Sequence, residues 1–374
     1  MNQAVSIIEC FSEVEDPRVS YLVRHKLIDI IVIAICAVIS GAEGWTDVES
    51  FGRAREKWLR KFLELPNGIP SHDTFGDVFG LIDARQFQTS FLQWVQVVNE
   101  VTTGQVIPFD GKKLRRSHHK TIGKAAIEMV SAWAAENRLV LGQVKVDEQS
   151  NEISAIPELL DLLEISGCIV TIDAIGCQTK IAQQIIDQDA DYVLALKGNQ
   201  GNLYDSVKNL FDYAQETGFV DCDYHKTVNK GHGRIEIREC WTLTSPEYLA
   251  YLPDRSVWPT LQTLGMVRSE RRIGVEKTVK FRYYISSLTG DAQQLLHAVR
   301  THWTIENELH WVLDVAFHED DCRIRTGNAA ENMAVLRHIA LNLLKQEKSA
   351  KCGIKAKRLR AAWDQDYLLK ILSV

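Results

Sequence analysis

No Cys-x-x-Cys pair and no Cys/His pairing at zinc-finger spacing occurs among the eight cysteines (10, 36, 168, 177, 222, 240, 322 and 352), which are scattered along a chain too large to need disulfide staples. A structural zinc ribbon is excluded, and reduced thiols in a cytosolic protein are the expectation. Basic charge is not in excess either: 43 Lys and Arg face 49 Asp and Glu, for a net charge of −6 and a pI near 6.0. A uniformly basic nucleic-acid coat is thereby excluded, and any DNA contact has to come from local basic surfaces. Long apolar runs are missing. The most apolar one, Ile30 to Ala42, covers about 13 residues where roughly 20 are needed to span a bilayer, so it reads as a buried helix and no membrane partner is expected. The start, MNQAVSIIECFSEVEDPR, carries acids and no basic region of the secretory type, which points to a cytoplasmic protein. Internal repeats and low-complexity tracts are absent as well.

What is present is ample apolar material, 45% of 374 residues, in a chain longer than the roughly 250 to 300 residues at which single cores stop growing. Residues 1–100 read as a helical N-terminal domain, with a buried helix over Leu27 to Ser40, an amphipathic one over Val48 to Leu63, and two more either side of Asp83. Ser71, His72 and Asp73 stand in a row, but adjacent residues cannot converge as a hydrolase triad; Pro70 and Ser71 begin a helix that Ser71 or Asp73 caps. From Val106 the pattern turns to strands: Val106 to Phe109, Glu128 to Ala135 and Leu139 to Val146. A helix (Ala155 to Leu163), a strand (Ile169 to Ile172), a helix (Thr179 to Asp187) and a strand (Tyr192 to Leu196) follow. Three strands in meander and then alternating helix and strand give a mixed α/β sheet whose order resembles the ribonuclease H-like fold. On that reading 101–200 is the first part of a catalytic domain, 201–290 a β-rich insertion whose hairpins form an inserted sheet, and 291–374 a helical completion with a C-terminal tail.

Three carboxylates stand out within this frame. Asp110 and Asp173 each close an apolar strand where the chain turns, and strand ends in open α/β sheets are where sites collect. Glu306 lies among Leu295, Val299, His302, Leu309 and Leu313, whose alternating spacings of four and three mark the buried face of a helix; a carboxylate there requires a partner. Singly, Asp110 reads as the start of an Asp-Gly turn, Asp173 as a helix cap and Glu306 as a paired helix acid. Jointly they supply the oxygen ligands that Mg²⁺ or Mn²⁺ favours, and two such ions about 3.5 to 4 Å apart serve phosphoryl transfer.

The flanking residues name a substrate class. Lys112, Lys113, Arg115, Arg116, His118, His119, Lys120 and Lys124 follow Asp110 with no acid until Glu128, a one-sign cluster that favours a phosphate backbone. His118 and His119 belong to that strip, because no third His or Cys lies at metal-site spacing. Lys197, with Gly198-Asn199-Gln200, brings an ammonium and two amides to the same sheet edge, against a phosphate or in a simple turn. Lys230, His232, Arg234 and Arg238 alternate with Glu236 along a hairpin, touching DNA or forming an exposed edge. Lys345, Lys348, Lys351, Lys355, Lys357, Arg358 and Arg360 make a second basic stretch, either DNA-binding or an ordinary surface helix. Trp303 and Trp311 flank Glu306, and one or both are expected to pack on the sheet, with base stacking as the other reading.

The segments IPSHDTF, FDGKKLRRS, TIDAIGCQ, YVLALKGNQ, NKGHGRIEIRE, RTHWTIENELHWVLDVAFHEDDCRIR and IALNLLK resemble those of the H-repeat-associated transposases, a DDE group of bacterial insertion sequences, over nearly the whole chain. The resemblance implies a metal-dependent reaction, with two Mg²⁺ or Mn²⁺ ions. Water attacks a phosphodiester at the element's end and the freed 3′-hydroxyl then attacks target DNA, with Asp110, Asp173 and Glu306 as the catalytic and metal-binding triad. It also implies double-stranded DNA as partner and a homodimer on paired ends. A Tyr, Arg and Lys signature surrounds the glutamate in related transposases; here Val299, His302 and Leu313 stand at those positions. His302 is counted with the DNA contacts by that correspondence, and hairpin-type end processing does not follow.

Overall fold

The computed structural model describes residues 7–98, 102–118, 126–146, 151–231 and 233–373; His119, Lys120, Lys124 and His232 lie outside these. Five helices come first: α1 (Ile7–Ser12), α2 (Leu27–Ile39), α3 (Trp45–Leu59), α4 (His72–Leu81) and α5 (Ala84–Val98). α2 is buried at every position but Ile28, as expected of a helix without a polar face, and its one carboxylate, Asp29, is satisfied by the backbone N–H of Leu65 at 2.9 Å. Ser71 caps α4 by accepting the Thr74 N–H, while His72 turns to Glu49 at 2.7 Å, so the Ser-His-Asp row is a helix start.

The strands β1 (Val106–Lys113), β2 (Glu128–Ala134) and β3 (Leu139–Lys145) form the meander. After them come α6 (Glu152–Asp161), β4 (Ile169–Ile172), α7 (Thr179–Asp187) and β5 (Asp191–Leu196). Next are α8 (Asn202–Glu216), β6 (Asp223–Gly231), β7 (Arg234–Leu243), α9 (Pro246–Ala250), β8 (Thr263–Ile273) and β9 (Glu276–Ser286). All nine strands belong to one mixed sheet in the order β3-β2-β1-β4-β5-β9-β8-β7-β6. The strands β1, β4 and β5 run parallel at its centre, and β9 pairs antiparallel with β5. The hairpins expected as an inserted sheet therefore extend the main one. α8 was not anticipated in that stretch, although Leu203, Val207, Phe211 and Ala214 recur at helical spacing and are its buried face.

Side-chain alternation divides the core. Val106, Ile169 and Val193 point to one face and are covered by α10 (Ala292–Thr304), whereas Ile107, Phe109, Val170 and Leu194 point to the other, into the larger core. A π-helical turn (Ile305–His310) joins α10 to α11 (Trp311–Phe317), and α12 (Ala329–Gln346), α13 (Ile354–Trp363) and α14 (Gln365–Leu372) complete the chain. α12 packs on α2, α4, α5 and β3, tying the helical region to the sheet. Among the described residues no helix is long and apolar enough to cross a membrane.

One expectation for the C-terminal half is corrected and another narrowed. Lys357 and Arg358 are buried, so they do not belong to a DNA-facing basic surface: Lys357 donates to the Leu344 and Glu347 carbonyls, and Arg358 to those of Val38, Ala42 and Ala316. Trp311 is exposed rather than packed on the sheet, since Ile305, Leu309 and Leu313 take the inward positions, whereas Trp303, partly exposed, lies against Arg282 of β9. Arg358 also lies over the Phe317 ring at 4.1 Å and joins α13 to α11 and to the end of α2 by donating to their carbonyls. Arg358→Ala should therefore cost about 2–4 kcal/mol in urea unfolding; a loss below about 0.5 kcal/mol would show that the junction does not depend on it.

Candidate active site

Parallel pairing sets the first two carboxylates side by side. Phe109 is in register with Ile172, so Asp110 and Asp173, the next residue on each strand line, stand at the same level; Asp173 follows the end of β4, but Asp110 does not close its strand as expected, because β1 runs on to Lys113 against β2. They share alternation with Val106 and Ile169, the residues covered by α10, and so lie on the side of the sheet from which the third carboxylate comes. Glu306 was expected on the buried face of a regular helix; it is exposed, while Ile305 and Leu309 are fully buried. The cause is the π turn, whose i→i+5 bonding inserts a residue and rotates Glu306 out of the apolar stripe, toward the open sheet end. Glu308, one turn face away, is occupied with Arg138 at 3.3 Å and Lys345 at 3.5 Å.

The electrostatics are those of carboxylates short of positive charge. Burial, then the nearby charges of Glu306, Glu152 and Asp173, push the Asp110 carboxyl up to about 7. Burial and Asp173 raise Glu306 against the pull of Arg282 and Lys197. Among the described residues the one ammonium or guanidinium within ion-pairing range of the three is Lys197, whose Nζ lies 3.7 Å from Asp173 Oδ2. His310 Nδ1 approaches Asp110 Oδ2 at 3.4 Å, but burial and Lys112 depress its imidazole to about 3, so it is neutral there. His302 is neutral too, lowered to about 4 by burial, and its Nδ1 meets the Thr171 hydroxyl of β4 at 3.0 Å. Among the described residues no group of three or more His, Cys, Asp or Glu side chains is gathered tightly enough to hold a metal ion. In kind the donors fit a hard divalent cation: they are all carboxylate oxygens, and burial together with their mutual repulsion raises Asp110 to about 7.

Glu152, which opens α6, escaped the sequence reading. Its Oε1 lies 2.1 Å from where a Cβ on residue 111 would sit, so the glycine after Asp110 leaves room for this carboxyl, which a larger residue there would displace. Burial, Glu128 and Asp173 raise its carboxyl to about 7. Nothing in the local sequence marks it, because it reaches the site across the sheet. His310 is the other omission; its helical distance of four from Glu306 was the available signal.

The expected DNA contacts separate into groups. Lys112 points inward and bonds Asp314 at 2.5 Å and the buried Glu319 at 2.7 Å, which removes it from any phosphate. Lys113 is exposed, and Arg115 and Arg116 pair at the surface with Asp320 and Asp321, each at 3.2 Å. His118 Nδ1 contacts the Arg115 carbonyl. Asn199 donates to the Ala174 carbonyl at 2.7 Å, and Gln200 to that of Cys177 at 2.6 Å, so the turn after β5 braces the loop that carries Asp173. Lys230, Arg234 and Arg238 stand on the β6–β7 hairpin, the last two paired with Glu236.

A family model described as "Transposase DDE domain" matches residues 75–343, and one described as "DDE_Tnp_1-associated" matches residues 8–95. The chain belongs to the transposase DDE domain family. Its similarity to an Escherichia coli O157:H7 protein named as the transposase YncI is 43% identity, covering 98% of this chain and 94% of that one. To the H repeat-associated protein named as the transposase YhhI, of Escherichia coli (strain K12), it is 42%, covering 98% and 97%. Among solved structures, the piggyBac transposase synaptic complex with hairpin DNA aligns over 100% of this chain and 82% of that one, with a TM-score of 0.46 and 12% identity, too loose a likeness to bear weight.

In this transposase the raised Asp110 has a consequence for stability. Its carboxyl binds a proton more tightly folded than unfolded, where the reference value is 3.8, so stability falls as pH rises from about 4 through about 7 and stays reduced above. In EDTA, Asp110→Asn should raise unfolding free energy by on the order of 1–3 kcal/mol at pH 8 and hardly at all at pH 4. An equal gain at both pH values, measured by urea titration, would sink this account.

Proposed function

We propose that the chain is a catalytically competent transposase that cuts DNA at the ends of an insertion sequence and joins the freed ends to target DNA. The observation that carries the reading is the convergence of Asp110 and Asp173, from adjacent parallel strands, with Glu306, from a π turn on the same side of the sheet. The order β3-β2-β1-β4-β5, with β2 antiparallel in it and β1, β4 and β5 parallel, supports a ribonuclease H-like core around these residues.

Asp110, Asp173 and Glu306 would hold the divalent ions, Mg²⁺ or Mn²⁺. Two such ions would supply the activation of an attacking oxygen and the stabilisation of a leaving one. In cleavage a water oxygen forms a bond to phosphorus as the bond from phosphorus to the 3′-oxygen breaks, leaving a 3′-hydroxyl. In joining, the oxygen of that hydroxyl forms a bond to a target phosphorus as the bond from that phosphorus to the target's own 3′-oxygen breaks, leaving a 3′-hydroxyl on the target strand. Lys197, two-thirds exposed and beside Asp173, is placed to hold a nonbridging phosphate oxygen. The neutral His302 and His310 fix the π turn against β4 and β1 without adding charge. The reading extends to duplex DNA as substrate and a homodimer holding the two ends.

Asp173→Asn and Glu306→Gln should each lower end cleavage by about 100-fold or more on labelled insertion-sequence ends with Mg²⁺ and a target plasmid. Both variants should also lose the rise in melting temperature that Mg²⁺ gives the wild type. Cut ends without joined product would reduce the reading to a nuclease; unchanged cleavage in both variants would remove these carboxylates from the chemistry.

A further inference from the structure

The hairpin extension sorts its charges by face. In register, Arg238 of β7 stands beside Ser269 of β8, which stands beside Lys280 of β9; Glu236 stands beside Arg271, and Val267 beside Arg282. Cross-strand neighbours project to the same side of a sheet, so Arg238, Arg271, Lys280 and Arg282 share one face. α10 lies along this face and adds Arg300 and Trp303, enclosing a cleft of about 440 Å³ between helix and sheet. Its far end is at Arg234 and Arg271, and its near end at Trp303 and Asn307, the residue after Glu306.

The charges in this cleft are unequally compensated. On the opposite face of the same strands, Arg268, Arg272 and Lys277 all converge on the buried Glu270, at 2.6, 2.5 and 3.3 Å. Within the cleft Glu236 forms ion pairs with Arg234 and Arg238 and reaches Arg271 and Arg300 only at longer range, so one carboxylate faces several cations. Among the described residues Arg271, Lys280, Arg282 and Arg300 have no carboxylate within ion-pairing distance, and Arg238 Nη1 is buried without an acceptor. Arg300 is pushed below the usual guanidinium range by burial and by Arg238, which marks crowded cations. Like charges held together at this density call for a polyanion, and a cleft of about 440 Å³ between α10 and the hairpins is a small, positively walled groove of the kind that tracks one strand's backbone.

We propose that this cleft holds the sugar–phosphate backbone of one single DNA strand and leads it to Glu306. The inference rests on the reading of the protein as a DNA-cutting enzyme and adds the route of one strand to it. Arg282 stacks on Trp303 at 5.1 Å, so one face of that ring is already taken and the mouth of the cleft is lined by cation rather than by a free aromatic platform. The expected interactions are with phosphates, independent of base sequence.

The test compares wild type with the double variant R271A/K280A, both positions on exposed strand segments, for binding to a blunt duplex and to the same duplex bearing a single-stranded 3′ extension. The double variant should bind the extended duplex about tenfold or more weakly, with a salt slope shallower by roughly 0.7 for each phosphate it no longer neutralises. Its blunt-duplex binding and its melting temperature should stay as in wild type, and the charge-keeping variant R271K/K280R should restore the extended-duplex affinity. Equal weakening on both DNAs would show a duplex-binding patch and overturn the single-strand assignment, as would unchanged binding to the extension. Failure of the wild type to bind or cut either DNA would instead overturn the functional reading itself, so the two failures are distinguishable.

Discussion

The parallel pairing of β1 with β4 is the constraint on which the site depends. It fixes two aspartates at one level, and the two-residue alternation of extended chain then decides which side of the sheet they occupy. A slip of one residue in either strand would send its aspartate into the core beneath α6 and α7. The register is held by apolar residues that are buried on both faces, Val106 and Ile169 under α10, Ile107 and Val170 in the larger core. The geometry of the candidate site is thus a by-product of core packing: the four strand residues before each aspartate are all buried.

Much of this was legible in the sequence, for reasons that differ by element. β4 and α7 begin and end where their apolar patterns do, because each is a short, strongly patterned segment with a turn on both sides. Asp173 was visible because a charged residue that ends an apolar strand has few places to go, and Asp110 because it ends the apolar part of a strand that continues to Lys113. Glu306 was found but wrongly placed: a regular helical period put it in the buried stripe, and the π turn that moves it out leaves no compositional trace. Glu152 and the inward turn of Lys112 were out of reach, since both depend on partners 24 or more residues away, Glu128 in one case and Glu319 in the other. A one-dimensional pattern carries periodicity well and pairing across the sheet poorly. For the same reason the hairpins were recognised as strands while their junction to β5 through β9 was not.

The cations that crowd the sequence divide physically into those that hold the fold and those that are free to meet a ligand. Lys112 is the clearest of the first kind. Its ammonium lies between Asp314 and the buried Glu319, which also faces Arg337 at 3.6 Å, and it ties the strand of Asp110 to the helix that follows Glu306. Removing one member of such a buried group strands the others without compensation, which makes it costly however little the group as a whole stabilises. Lys357 and Arg358 are of the same kind, spent on backbone carbonyls.

Arg115 and Arg116 are of the second kind despite having partners. Their pairs with Asp320 and Asp321 are at the surface, where an ion pair contributes well under about 1 kcal/mol and is screened by salt. A phosphate diester can displace Asp321 from Arg116 at small cost, because that carboxylate is 62% exposed and returns to water, whereas Asp320 is 26% exposed with a buried Oδ1 and holds Arg115 more firmly. The same exchange is not open to Lys112, whose carboxylates are buried and would be left charged and dry. Exposure of the counter-ion, more than the presence of one, therefore decides whether a basic residue next to the carboxylates is available to DNA. By that criterion the run after Asp110 is split at its first member, with Lys112 belonging to the scaffold and the exposed Lys113, Arg115 and Arg116 to the surface that a nucleic acid would meet.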